Sequence, residues 1–169
     1  MISIYDDVFD YEYCTYAWRM VTESVYRLGW LDVESLGGNQ YVNLYSGFSP
    51  EDVKRLGILE KLKDTPLQEH IKDKEFDKCI VNLTVAGQSF FHHVHQDRDA
   101  VLFYVNLEWK REWAGETLFY SKDSKQLERA VEYIPNRVVF FEGEHPHAIR
   151  PASFHAPFFR FTVSVFFKK

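Results

Sequence analysis

From about Glu75 onward the chain is a succession of short β-branched and aromatic runs: CIVNLTV, SFFHHVH, AVLFYVNLEW, ETLFY, RVVFFEG, HAIRP and FRFTVSVFF, separated by turn-rich or charged pieces. This pattern predicts a many-stranded antiparallel sheet. Ahead of it, a short strand is expected around Ile2–Tyr5. Cys14, Ala17, Trp18, Val21 and Val25 then recur at helical spacing, with Gly29 placed to stop the helix. A second helix is marked by Ser49 as N-cap, Pro50 in its first position and Asp52 three residues after the cap, and is expected to run to about Lys63. One further short helix is suggested near Ser124 to Val131. Helices first and strands afterwards predict a mainly β fold with flanking helices, a jelly-roll barrel with the helices packed outside.

The 169 residues are enough for one domain that buries its own core. Residues 1–74 are read as helical support and 75–169 as the jelly-roll core. Apolar content of 46%, interrupted by charge, excludes both a disordered chain and a membrane span. A net charge of −5 disfavours nucleic acid as a partner. Two cysteines, Cys14 and Cys79, without paired spacing suggest neither a disulfide framework nor a Cys-based zinc site. With an acidic start, MISIYDDVFD, they fit a cytoplasmic protein.

Six of the seven histidines fall between His92 and His155, crowding that points to a metal. On a strand, residues two apart share a face, so His93, His95 and Asp97 of HHVHQD would project together. The pair His95-x-Asp97 could grip an ion from one strand end, and His147 in GEHPHAIRP could complete the set from another. Two histidines and one carboxylate form the facial arrangement of iron(II) oxygenases, which leaves positions open for O₂ and an oxidisable ligand. In FFRFTVSVFF, Arg160, Thr162 and Ser164 alternate with Phe161, Val163 and Val165. A polar face is thus kept within an apolar strand. An arginine deep in a barrel needs an anion, and its planar fork matches a carboxylate, such as that of a dicarboxylate cosubstrate.

These residues resemble the 2-oxoglutarate- and iron(II)-dependent dioxygenases, specifically the prolyl 4-hydroxylase-like branch, over roughly Lys78 to Phe167. The strings that carry the likeness are His95-x-Asp97, FYVNLEW, WAGETLFY, PNRVVFFEGEHPHAIRP and Arg160-x-Thr162. Tyr104 and Asn106 match the family's Tyr before a Val/Leu-Asn pair. Gly115, Glu116 and Thr117 resemble its Gly-Gly-Glu-Thr turn, with Ala114 in place of the first glycine. Close to full length, the chain also resembles copies carried by phages of marine cyanobacteria, which would put it in a host cytoplasm.

The resemblance implies a double-stranded β-helix and an enzyme that uses Fe(II), 2-oxoglutarate and O₂, with ascorbate as a further candidate. Iron would be held by His95, Asp97 and His147. The cosubstrate's far carboxylate would be held by Arg160 and Tyr104, with Thr162 as a further contact. The implied substrate is a peptidyl proline or another peptide residue, with free amino acids and small molecules as alternatives. Prolyl hydroxylases often carry lysine where Arg160 stands, a departure that weakens the case for proline.

Arg150 is a rival for the carboxylate, but its odd spacing from His147 turns it to the opposite face of a regular strand. Two other readings remain. A cupin-type metal protein would use His93, His95 and His147, with Asp97 outside the ligand set. A catalytically silent jelly-roll would present Trp109, Trp113 and Phe158 as a recognition surface. The segments Leu36–Phe48 and Trp109–Trp113 are candidates for substrate contact.

Overall fold

A computed structural model describes residues 1–30, 43–88, 91–157 and 159–169. In chain order the elements are β1 (Ile2–Tyr5), α1 (Tyr11–Thr22), β2 (Arg27–Trp30), β3 (Asn43–Phe48), α2 (Pro50–Leu56), α3 (Ile58–Lys63), α4 (Gln68–Ile71), β4 (Phe76–Thr84) and β5 (Arg98–Tyr104). They continue with β6 (Thr117–Tyr120), β7 (Leu127–Val131), β8 (Val138–Phe141), β9 (His147–Ile149) and β10 (Arg160–Lys168). The strands form a seven-stranded sheet, ordered β1-β8-β5-β10-β4-β3-β2, and a three-stranded sheet, ordered β7-β6-β9. This is the expected mainly β arrangement with flanking helices, although the two sheets face each other without closing into a barrel.

β10 runs through the middle of the large sheet, antiparallel to both neighbours, with Thr162 opposite Asn82 of β4 and Tyr104 of β5. Its alternation sorts the molecule into two sides. Phe161, Val163, Val165 and Phe167 point to an outer core, where α1 contributes Tyr13, Ala17 and Val21, and α2 and α3 contribute Val53, Leu56, Ile58 and Leu62. Arg160, Thr162, Ser164 and Phe166 lie on the other face, toward the small sheet. There a smaller core joins Ile80, Ala100, Val139, Phe141 and Phe166 to Phe119 of β6 and Val131 of β7.

Local chemistry explains the helical ends. Asp10 caps α1 by accepting from the Tyr13 N–H at 2.7 Å. Ser49 and Asp52 form a reciprocal capping box at α2. The expected single helix from Ser49 to Lys63 is divided at Gly57, whose left-handed backbone (φ 68°) ends α2 and starts α3. Gly29 does not stop α1, which ends at Thr22, and lies instead in β2.

The helix suggested near Ser124–Val131 is also corrected, because Leu127–Val131 is strand β7, paired with β6. Gln, Leu, Glu, Arg and Ala favour helix locally, and the free edge of β6 overrides that preference. Strands β1, β2 and β3 come from the stretch read as helical support, so it builds three strands of the large sheet as well. Among the described residues, no helix is long and apolar enough to cross a membrane.

Candidate metal centre and anion pocket

The expected strand SFFHHVH is reduced to one antiparallel bridge, in which His93 and His147 exchange both backbone hydrogen bonds at 3.0 Å; residues 89 and 90 lie outside the described set. The bridge sets His93 beside β9. The His95 N–H donates to the Gly143 carbonyl at 2.6 Å, drawing the next turn against the chain that leaves β8. Three imidazoles converge as a result. The potential ligand atoms of His93, His95 and His147 all lie within 4.8 Å of one another. Ring centroids are 4.4 Å apart for His93 and His147 and 4.9 Å for the other two pairs.

The sequence reading grouped Asp97 with His95 and His147, and the structure does not bring it there. The Arg98 N–H donates to the His95 carbonyl at 3.1 Å, closing a turn that has Gln96 and Asp97 at its centre. The strand alternation that would have aimed Asp97 at the histidines ends at His95, and Asp97 is exposed. His93 is the residue grouped with His95 and His147 instead.

The donor set fits a metal ion. Nδ1 of His147 lies 2.9 Å from the His145 carbonyl, and Nδ1 of His93 lies 3.3 Å from the Phe91 carbonyl. Both contacts engage Nδ1 and fix the ring orientation. Burial, with His93 next, holds His147 well below the usual imidazole range; burial, followed by His93, Lys78 and Arg98, pushes His95 down to about 3. Both rings are therefore neutral at neutral pH with a lone pair to offer, and neutral imidazole suits iron(II) among the first-row ions. Phe141, 4.5 Å from the His147 ring, and Phe166, 5.0 Å from the His95 ring, supply apolar walls.

A single cavity runs from these histidines to Arg160, past Ile80, Asn82, Thr84, Thr117, Thr162 and Ser164. Arg160 is only 1% exposed. Its Nε donates to the Gly115 carbonyl at 2.7 Å, one terminal nitrogen donates to Thr162 Oγ1 at 2.7 Å, and the other reaches Thr117 Oγ1 at 3.4 Å. None of the ion pairs among the described residues includes it. Burial lowers its pKa, and Tyr104, Tyr133 and Glu116 act in the opposite sense. A guanidinium has five N–H donors, so the three bonds leave capacity for an anion.

Tyr104 belongs to this cluster at one remove, donating to Thr117 Oγ1 at 2.6 Å while its ring faces the guanidinium, 5.4 Å away. Arg150, the rival, is 57% exposed and paired with Glu116 at 3.0 Å. Asn106 serves the backbone: its side chain accepts from the Phe161 N–H and Tyr133 OH and donates to the Phe159 carbonyl, pinning the start of β10.

Thr84, Asn82 and Tyr133 were missed by the sequence reading. Thr84 is directly opposite Arg160 in the β4–β10 ladder, and its buried hydroxyl has no hydrogen-bond partner among the described residues. The alternation of β4 could have revealed it, since CIVNLTV places Asn82 and Thr84 on the face of Ile80. Trp109 and Trp113 do not form an open recognition surface: they pack edge to face at 5.5 Å, with Trp113 8% exposed. Phe158 and most of Leu36–Phe48 lie outside the described residues.

Comparisons with known proteins identify the family and the fold. The model of the 2OG-Fe(II) oxygenase superfamily matches residues 81–168, more than half of the chain. No curated protein matches. Among solved structures, a prolyl hydroxylase from Trichoplax adhaerens, in complex with a hypoxia inducible factor oxygen degradation domain peptide fragment, superposes with a TM-score of 0.74 at 14% identity, over 99% of this chain and 83% of that one. A Pseudomonas putida prolyl-4-hydroxylase gives 0.72 at 16% identity, over 99% and 92%. HygX from Streptomyces hygroscopicus, with nickel and 2-oxoglutarate bound, gives 0.72 at 10%, over 99% and 82%. The matched stretch opens within β4 and closes within β10, enclosing all three histidines and Arg160, and the chain belongs to the 2OG-Fe(II) oxygenase superfamily, whose members are 2-oxoglutarate- and iron(II)-dependent enzymes.

Proposed function

We propose that this oxygenase hydroxylates a prolyl residue of a peptide, with iron(II) held by His93, His95 and His147 and the far carboxylate of 2-oxoglutarate held by Arg160. The observation that carries the reading is the single cavity with three imidazoles at one end and, at the other, a buried guanidinium that has no carboxylate partner among the described residues. Iron, when bound, would supply O₂ activation coupled to oxidation of 2-oxoglutarate to succinate and CO₂, with one oxygen atom entering a substrate C–H bond.

The chain's own part is positioning and shielding. Arg160 would pair with the carboxylate, while Thr162 and Gly115 hold the guanidinium in place. Thr117, held by the Tyr104 hydroxyl, would face the cosubstrate. Phe141 and Phe166 would limit water at the metal. Peptidyl proline is favoured because the T. adhaerens and P. putida neighbours are prolyl hydroxylases, the former solved with a peptide. The buried free thiols of Cys14 and Cys79 support a cytoplasmic location.

The test has two stages. Anaerobic titration of Fe(II)-loaded protein with 2-oxoglutarate should produce the weak visible absorption of a 2-oxo acid on iron(II), in wild type and Asp97→Ala alike, and His93→Ala should lose it. Retention in His93→Ala with loss in Asp97→Ala would return the carboxylate to the ligand set. Proline-containing peptides incubated with enzyme, 2-oxoglutarate and O₂ should then gain one oxygen atom on proline, read by mass spectrometry. Succinate release with no oxidised proline would overturn the substrate assignment.

A further inference from the structure

We infer that Gly143 is a positioning residue for the metal centre: its lack of a side chain lets the chain leaving β8 seat inside the His95–Arg98 turn and so fixes the spacing of His95 from His147. The inference rests on the three-histidine ligand set proposed above. Its ground is steric. A Cβ built on Gly143 would lie 1.7 Å from the Arg98 carbonyl oxygen and 2.0 Å from that of His95, where real Cβ atoms keep at least 3.0 Å. Both obstacles are backbone, so no rotamer change relieves them. The turn would have to retreat by about 1.3 Å to clear the nearer oxygen.

Gly143 also grips the turn from both sides of its own residue. Its carbonyl accepts the His95 N–H at 2.6 Å, and its N–H donates to Asp99 Oδ1 at 3.0 Å. The other Asp99 oxygen pairs with Lys74 at 2.7 Å, which holds the buried carboxylate in place. Four residues beyond Gly143, His147 is tied to His93 by the reciprocal bridge. The ligand-bearing segments are thus spaced by three backbone hydrogen bonds, one of which involves Gly143. Metal–imidazole bonds tolerate only about 0.2 Å of error, so a shift of the size a side chain demands separates His95 from the other two.

Cobalt(II), titrated anaerobically into the full chain without cosubstrate, reads affinity by titration and ligand geometry by its d–d absorption. Wild type and Asp97→Ala should bind, and His93→Ala and His147→Ala should not. Those four proteins test the ligand set itself. Gly143→Ala should bind roughly ten- to a hundredfold more weakly with an altered d–d spectrum, under conditions where circular dichroism shows it folded. Gly47→Ala, in β3 with nothing within 4 Å of its added Cβ, should match wild type.

Asp99→Ala loosens the grip without adding an atom to the turn and should weaken cobalt binding several-fold; it decides the matter if Gly143→Ala fails to fold. A folded Gly143→Ala that binds within about twofold of wild type with an unchanged spectrum overturns the inference. So does unchanged affinity in Asp99→Ala when Gly143→Ala does not fold. In either case the ligand set would stand, on wild type, Asp97→Ala, His93→Ala and His147→Ala.

Discussion

The two faces of the seven-stranded sheet are made from alternate residues of the same strands, yet they are built to different ends. The outer face is dry and apolar: Phe103, Val163 and Val165 are fully buried against the helices. The inner face places Arg160, Thr162, Thr84 and Ser164 at 2% exposure or less around a cavity. Burial on the outer side contributes stability through the hydrophobic effect and close packing. Burial on the inner side costs stability, since a guanidinium and a hydroxyl without a partner among the described residues are removed from water. One sheet therefore separates what holds the fold from what the fold is for.

That division can be broken most severely at His147. His147→Ala should lower turnover roughly a thousandfold or more while leaving the melting temperature of the metal-free protein near wild type, measured by steady-state assay and thermal unfolding. A large loss of metal-free stability would mean that the inner face also carries the fold. Phe103→Ala is the converse: about 3–5 kcal/mol of stability should go, with the 2-oxoglutarate affinity of the folded fraction unchanged in calorimetry below the transition.

Arg160→Met should weaken 2-oxoglutarate binding about a hundredfold and hold or raise the melting temperature, because a buried charge is replaced by an apolar side chain of similar length. A clear fall in stability there would show that its bonds to Gly115 and Thr162 outweigh its desolvation. The smallest effect is expected at Ala114, whose backbone (φ 55°, ψ −141°) lies where glycine is at ease and an L side chain is not. Ala114→Gly should stabilise by about 1 kcal/mol, read by denaturant unfolding, with little change in cosubstrate affinity.

The parts of this design that follow a period were legible in the sequence. The alternation of β10 identified Arg160 and Thr162 on one face, and the strand-like runs located β4, β5, β6, β8 and β9. The cap at Ser49 was legible because its chemistry is local. Where tertiary pairing or a turn interrupts the period, the sequence misleads. Leu127–Val131 has helical propensity and becomes strand because β6 offers it an edge. Asp97 obeys the two-residue rule on paper, but the rule stops applying at the turn after His95. His93 was visible as a candidate in that same reading, and only the pairing of its backbone with His147 distinguishes it from Asp97. Thr117 was noticed as part of a turn motif, and its place between Tyr104 and Arg160 depends on two sheets meeting.

The central position of β10 also sets the terms on which this sequence can evolve. Point changes at Thr162 or Ser164 reach the cavity without touching the helix-packed core, so cosubstrate or substrate preference can drift there while the fold is conserved. Insertion or deletion of one residue upstream of them in the strand would exchange the two sides at a stroke, turning phenylalanine and valine toward the metal and arginine toward the helices. Substitution is thus the open path for new chemistry in this protein, and length variation within its last strand is the closed one.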